Sequence, residues 1–313
     1  MYNTMDDFDA SKGGYGTRVA PTPTNLAYTW NKELAFRNGE LILGESTLMF
    51  NYPIMIGPGV NLHRHGFNGR GAEYYSEDPI LSGYTASAVV QGAQSKGTIV
   101  NLKHLAFNDQ EINRSGIAVF MTEQAARELE LRNFQQAIEA NGKPASMADN
   151  ANIYNEGALG VMTSFNRIGA VAPSANKGVC QDILRDEWGF KGYSVTDFTG
   201  VSMKAMPKES VLFGTVAFCG FGGAVDYFTG ETLAADPQMA AAMKQDIKYI
   251  LYPLVNSAAM NGADPTTHRV EIETSWRALY HNFQLCSGIA TGVFALAWIA
   301  CAVLGAKKKK GAN

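Results

Sequence analysis

Gly192-Tyr193-Ser194-Val195-Thr196-Asp197-Phe198-Thr199-Gly200 decides how the chain is read. A glycine opens a short run of β-prone residues, the run ends on a carboxylate, and a second glycine bounds the turn. An acid at the C-terminal end of a buried strand is the usual position of a reacting group in a (β/α) barrel. Aspartate is also a favoured helix N-cap, so this segment alone supports a cap as readily as a catalyst. The remaining chain has to separate the two.

Outward from that segment the same pattern recurs. Residues 55–60 (MIGPGV) read as a buried strand that runs into the loop HRHGFNGRG at 63–71. Residues 97–105 (GTIVNLKHL) form a second strand ending in Lys103 and His104, and 160–166 (GVMTSFN) a third. Tyr193–Asp197 is then the fourth, and 222–228 (GGAVDYF) the fifth. Helical spacing fills the intervals: 24–44, with Thr29 or Asn31 as cap before Glu33, then 80–96, 122–141 capped at Thr122, 176–188 and 236–256. Polar groups stand at several separate strand ends, namely Arg70, Lys103–His104, Asn166 and Asp197. That convergence predicts an α/β fold of the (β/α)8 TIM-like barrel type over a doubly wound sheet with one crevice. No GxGxxG and no GxxxxGK[ST] is present, which removes the phosphate-cradling motifs.

Composition narrows the function classes. With 313 residues, 46% of them hydrophobic, the chain can bury a large core. A net charge of −3 offers no basic field for nucleic acid. Cys180, Cys219, Cys286 and Cys301 have neither CxxC spacing nor a nearby histidine, so neither a metal site nor a disulfide framework is expected. The polar, acidic start Met1–Asp9 lacks the pattern of a secretory leader. The other end differs: 285–306 (LCSGIATGVFALAWIACAVLGA) carries no charge and is followed by Lys307–Lys310. About 20 apolar residues suffice to cross a bilayer as a helix, and the lysines would lie on the cytoplasmic side. A single-pass anchor at the cell membrane, with everything before it extracellular, is the expectation.

Six segments in order resemble glycoside hydrolase family 3, the family of many β-glucosidases and β-xylosidases. They are GPGVNLHR at 57–64, GRGAEYYSEDP at 69–79, LKHLAFNDQEINR at 102–114, VMTSFNRI at 161–168, LRDEWGFKGYSVTDF at 184–198 and GAVDYF at 223–228. The resemblance runs from about Thr22 to Asn261. It implies retaining hydrolysis of terminal β-linked, glucose-like sugars from small saccharides or β-glycosides, without cofactor or metal. Asp197 matches the family nucleophile, with Thr-Asp-Phe where an S-D-W-like motif is usual. Arg70, Lys103, His104 and Arg114 match residues that hold sugar hydroxyls, and Met162, Phe165 and Phe198 would line the same subsite. A cation beside Asp197 would keep it ionised for attack. Taken singly, Lys103 is a surface lysine at a strand end, His104 a satisfied core histidine, Arg70 a tie for its loop through Glu73 or Glu77, and Met162 a core filler.

The departures from the family are also informative. Phe198 stands for the usual Trp, and Phe165 for a Tyr whose hydroxyl could bond the nucleophile. The Asp-Gly-Pro-type motif after the first barrel strand has no counterpart, so the barrel is expected to lack its first strand or strands. A retaining mechanism needs a second carboxyl about 5 to 5.5 Å from the nucleophile. In the family it comes from a separate sandwich domain, and Glu73, Glu77 and Glu111 read instead as loop-orienting. The chain therefore resembles the barrel part of a permuted, membrane-anchored member with its sandwich domain encoded upstream. The expected organisation is a barrel domain at 1–262, a juxtamembrane linker at 263–284, a transmembrane helix at 285–306 and a basic cytoplasmic tail at 307–313. The alternative is an inactive or sugar-binding surface remnant of such an enzyme.

Overall fold

The computed structural model describes residues 21–44, 54–139, 157–198, 206–220, 228–260 and 275–310. Contacts divide the chain into two units, Met1–Ala263 and Asp264–Asn313. The first is an α/β unit built on a parallel sheet. Its strands are β1 (Ile54–Gly59), β2 (Ile99–Leu105), β4 (Gly160–Thr163) and β6 (Tyr193–Thr196), hydrogen-bonded in that order. Two short strands, β3 (Ala118–Val119) and β5 (Arg167–Ile168), pair in parallel as a separate ribbon that the sequence did not suggest.

Sequential order with parallel pairing follows from helices packed between successive strands. A parallel sheet covered on its faces requires near-continuous apolar strands. β2 is covered in this way, every residue from Ile99 to Leu105 being buried except the half-buried Lys103, although Asn101, Lys103 and His104 interrupt its apolar run. The register sets one row across the sheet, Gly59, Lys103, Met162 and Val195, which Ala217 extends through a parallel bridge to Val195. That bridge takes the fifth position. The expected strand at 222–228 falls almost wholly on 221–227, outside the described residues. Among the described residues the sheet has four strands and this bridge, and a closed barrel is not seen there.

The helices start where local chemistry says they should. α1 (Pro23–Ala27) is capped by Thr22, and α2 (Lys32–Asn38) by Asn31, whose side chain accepts from Glu33 N and Leu34 N. α3 (Pro79–Gln94) opens with Asp78 as N-cap and proline at the first position. α2 and α3 meet closely: a Cβ on Gly92 would stand 2.0 Å from the Phe36 carbonyl oxygen, so only glycine fits. Thr122 caps the next helical segment, which widens through i→i+5 bonding at Leu131 N to Ala126 O before α4 (Arg132–Ile138). The end expected at 141 lies outside the described residues. α5 (Gly178–Glu187) likewise ends on an i→i+5 bond, from Trp188 N to Ile183 O. α6 (Pro207–Leu212), α7 (Gly230–Ala235) and α8 (Pro237–Val255) complete the first unit.

In the second unit a helix, α9, runs over Ser275–Lys310. The segment expected as linker is therefore helical from 275 onward, because nothing between Ser275 and Leu285 breaks a helix. Within α9, Leu279–Ala302 is long and apolar enough to cross a membrane, with a mean hydropathy of 1.9.

Candidate active site at the strand ends

The C-terminal ends of β1, β2 and β6 bring most of the singled-out side chains together. Consecutive strand residues normally point to opposite faces. At β2 the register shifts between Lys103 and Leu105, and this irregularity lets Lys103 and His104 reach one cluster. Asn61 fixes the bend from outside: its Oδ1 accepts from His104 N at 2.8 Å and its Nδ2 donates to His104 O at 2.9 Å.

His104 is 2% exposed. Arg70 Nη2 approaches its Nε2 at 3.1 Å, and Asp197 Oδ2 lies 3.6 Å from the same nitrogen. A guanidinium can only donate, so Nε2 accepts and the ring proton sits on Nδ1. Burial, with Arg70 and Lys103 adding to it, pushes the imidazole far below its ordinary pKa. His104 is neutral, and its contact with Asp197 is not an ion pair.

Asp197 is 5% exposed, directly beyond β6. Its Oδ1 accepts from Phe198 N at 2.8 Å, and its own N–H bonds Thr163 O at 3.2 Å. The N–H groups two and three residues on, which a helix cap would bond, belong to Thr199 and Gly200, outside the described residues. Burial raises the carboxyl above its usual range despite the Phe198 N–H and the fields of Arg114, Arg70 and Lys103. The neighbouring cations alone predict the opposite sign, and the desolvation that outweighs them follows only from burial in the fold.

Two glutamates organise the cations. Glu73 Oε1 accepts from Arg70 Nε in a short ion pair, and Glu73 Oε2 lies 3.3 Å from Lys103 Nζ. Burial works against the charge of Glu73, yet Lys103 and Arg70 outweigh it and hold the carboxyl well below the usual range. Glu111 spans Arg70 Nε at 3.5 Å and Arg114 Nη1 at 3.3 Å. Arg114 in turn lies over the ring of Phe165, 4.2 Å from guanidinium carbon to centroid. Met162 is buried at the register position paired with Lys103. Phe198 is 48% exposed; its backbone N–H bonds Asp197, but no described side-chain contact ties its ring to the cluster.

Beyond the loop-orienting role expected of them, Glu73 and Glu111 bridge cations from separate segments. The Arg70–Glu73 spacing of three was a legible sign; the reach to Lys103 was not. Several buried polar atoms here have no hydrogen-bond partner among the described residues: Asn68 Nδ2, Arg70 Nη1, His104 Nδ1, both amide atoms of Asn108, and Asn166 Oδ1. Among the described residues no three His, Cys, Asp or Glu side chains converge to hold a metal ion.

Known proteins resemble this chain over much of its length. Residues 9–216 match the family described as Glycosyl hydrolase family 3 N terminal domain. "Probable beta-glucosidase J" of Aspergillus fumigatus is 35% identical over 200 residues, covering 61% of this chain and 21% of its own length. "Exo-alpha-(1->6)-L-arabinopyranosidase" of Bifidobacterium longum is 35% identical over 178 residues, covering 57% of this chain and 21% of its own length. Among solved structures, beta-glucosidase 3B from Thermotoga neapolitana in complex with glucose superposes with a TM-score of 0.67 at 30% identity, over 78% of this chain and 33% of that one. The chain thus spans about a fifth of the length of these curated relatives.

Proposed function

Because this chain belongs to glycoside hydrolase family 3, we propose that it forms the sugar-binding, nucleophile-bearing part of a retaining β-glucosidase-like hydrolase. One observation carries the reading. Asp197, His104, Arg70 and Lys103 meet at the C-terminal ends of neighbouring parallel strands, amid buried donors and acceptors that lack protein partners. Buried polar groups are rarely left unpaired, and sugar hydroxyls would supply the missing bonds. The sheet is then one wall of a (β/α)8 barrel whose active end is this one.

In the reaction, Asp197 Oδ2 attacks the anomeric carbon and the bond to the leaving oxygen breaks with its electron pair. Water then cleaves the glycosyl–Asp197 ester, so configuration is retained. Arg70, Lys103, neutral His104 and Arg114 hold the hydroxyls, while Met162, Phe165 and Phe198 give the subsite its apolar lining. A raised carboxyl pKa makes Asp197 more basic than an ordinary aspartate.

Protonation of the leaving group falls to a carboxyl outside this chain, such as one on a sandwich domain encoded upstream. Glu73 is paired to two cations and held ionised, which disqualifies it as a donor. Burial and Glu130 raise Asp109, but its described contacts are Glu130, Arg64 and the Leu62 backbone and not this cluster. Helix α9 would anchor the protein, with its lysines cytoplasmic and residues 1–262 outside the cell.

An activated 2-fluoro glucoside, whose dinitrophenolate leaves without a proton, tests the assignment. The full chain in mild detergent should form a covalent adduct on the peptide carrying Asp197, and D197N should form none. Glucose binding without any adduct would replace the hydrolase by a sugar-binding remnant.

A further inference from the structure

Glu73 is buried on the tight turn Gly71–Glu73, and its two oxygens serve cations from two different strand ends. Arg70 comes from the loop after β1 and Lys103 from β2. With Glu111 the charges alternate in a row: Lys103, Glu73, Arg70, Glu111, Arg114. Three cations gathered without intervening anions would repel, and their long side chains would turn towards water. The two glutamates are not equivalent. Glu111 is 38% exposed at its side chain, whereas Glu73 is 10% exposed.

The turn that carries Glu73 is pinned independently of the cations. Thr24 Oγ1 donates to Gly71 O at 3.0 Å and to Tyr74 O at 2.8 Å. His63 Nε2 reaches the same two carbonyls at 2.8 and 3.1 Å, which makes it the donor. Both cations therefore orient on a fixed carboxylate.

We propose that Glu73 is a positioning residue: it holds Arg70 and Lys103 side by side towards the sugar above Asp197, and so sets substrate affinity without touching substrate. The inference rests on the reading of the Asp197 cluster as a glycoside site. E73Q keeps the shape and one acceptor, but its amide must present donors to a cation, so Lys103 loses its anchor.

A double-mutant cycle on the full chain tests this, comparing wild type, E73Q, K103M and E73Q/K103M for inactivation by the activated 2-fluoro glucoside. Each single variant should raise the half-saturating concentration about 100-fold and change the limiting inactivation rate less than about threefold. The double variant should be no worse than the weaker single by more than about threefold, because Glu73 acts through Lys103. A merely structural role would shrink the fraction of protein that labels and leave half-saturation unchanged. Fully additive effects, or an unchanged half-saturation in E73Q, overturn the proposal while leaving Asp197 as nucleophile. A wild-type chain that neither labels nor binds glucose overturns both.

Discussion

Two arginines in this chain, the half-buried Arg70 and the buried Arg185, have opposite surroundings. Arg70, at the strand ends, meets carboxylates: Glu73 and Glu111 face its Nε, and Nη1 has no protein partner. Arg185, on α5, meets only dipoles and rings in its hydrogen bonds and stacking. Its Nη1 donates to Phe190 O at 3.0 Å and Gly192 O at 2.6 Å, and its Nη2 to Gly214 O at 2.7 Å. The ring of Tyr249 lies 3.7 Å from its central carbon, and that of Phe190 4.9 Å. Burial pushes the Arg185 guanidinium down to about 10, still charged at neutral pH.

Carboxylate partners orient a cation and leave one edge for a ligand. Carbonyl partners spend its donors on the backbone. Arg185 ties α5, the residues leading into β6 and the turn at Gly214 to one another, so it supports the strand that presents Asp197. The partners of Arg70 are instead side chains at the strand ends.

The comparison predicts a crossing of effects. R185M leaves three buried carbonyls without that donor and should cost about 4 kcal/mol in urea unfolding of the full chain. R70M leaves Glu73 with Lys103 and should cost about 1 kcal/mol, yet lower labelling by the 2-fluoro glucoside about 1,000-fold. If R70M unfolds as easily as R185M, the division between a ligand-facing and a backbone-facing arginine is wrong.

Asp246 allows a finer test. It is buried on α8, and burial pushes it up to about 7 while Arg185 pulls it down. The folded pKa lies above the unfolded value of about 4, so the folded state holds the proton more tightly. Stability is then level below about pH 4, falls as pH rises to about 7, and is level again above. D246N should gain about 2 kcal/mol at pH 8 relative to wild type, allowing for partial contact with water, and nothing at pH 4. A loss at pH 8 would make Asp246 the counterion of Arg185, and the carbonyls would not suffice.

What was legible in the sequence follows the range of the interaction that decides it. Asn31, Asp78 and Thr122 cap helices through bonds spanning two or three residues, and all three starts can be read locally. Thr29, the other candidate beside Asn31, instead donates back to Leu26 O. The strands 99–105 and 193–196 follow from their apolar runs. The widened turns at 126–130 and 178–187 do not, because packing sets them. Ala217 joins the sheet through one bridge and leaves no pattern. At the site, residue types were legible through the resemblance. The row Gly59–Lys103–Met162–Val195 needs the register, and the sign of the Asp197 shift needs its burial.

The smallest effect concerns how firmly a ring holds a cation in each region. Arg185 lies against two rings and has three carbonyls besides, so losing one face removes little of what fixes it. Arg114 has one ring, Phe165, and one carboxylate, Glu111 at 3.3 Å. A cation over an aromatic face contributes about 0.5–1 kcal/mol where water still reaches it. F165L keeps the apolar volume and removes the face, so Glu111 alone should retain Arg114 loosely in place. Half-saturation by the 2-fluoro glucoside should then rise about threefold, with urea stability changed by less than about 1 kcal/mol. A rise as large as that expected for E73Q would mean that the ring, and not the row of alternating charges, aligns Arg114. The two ends of that row would then have to be explained separately.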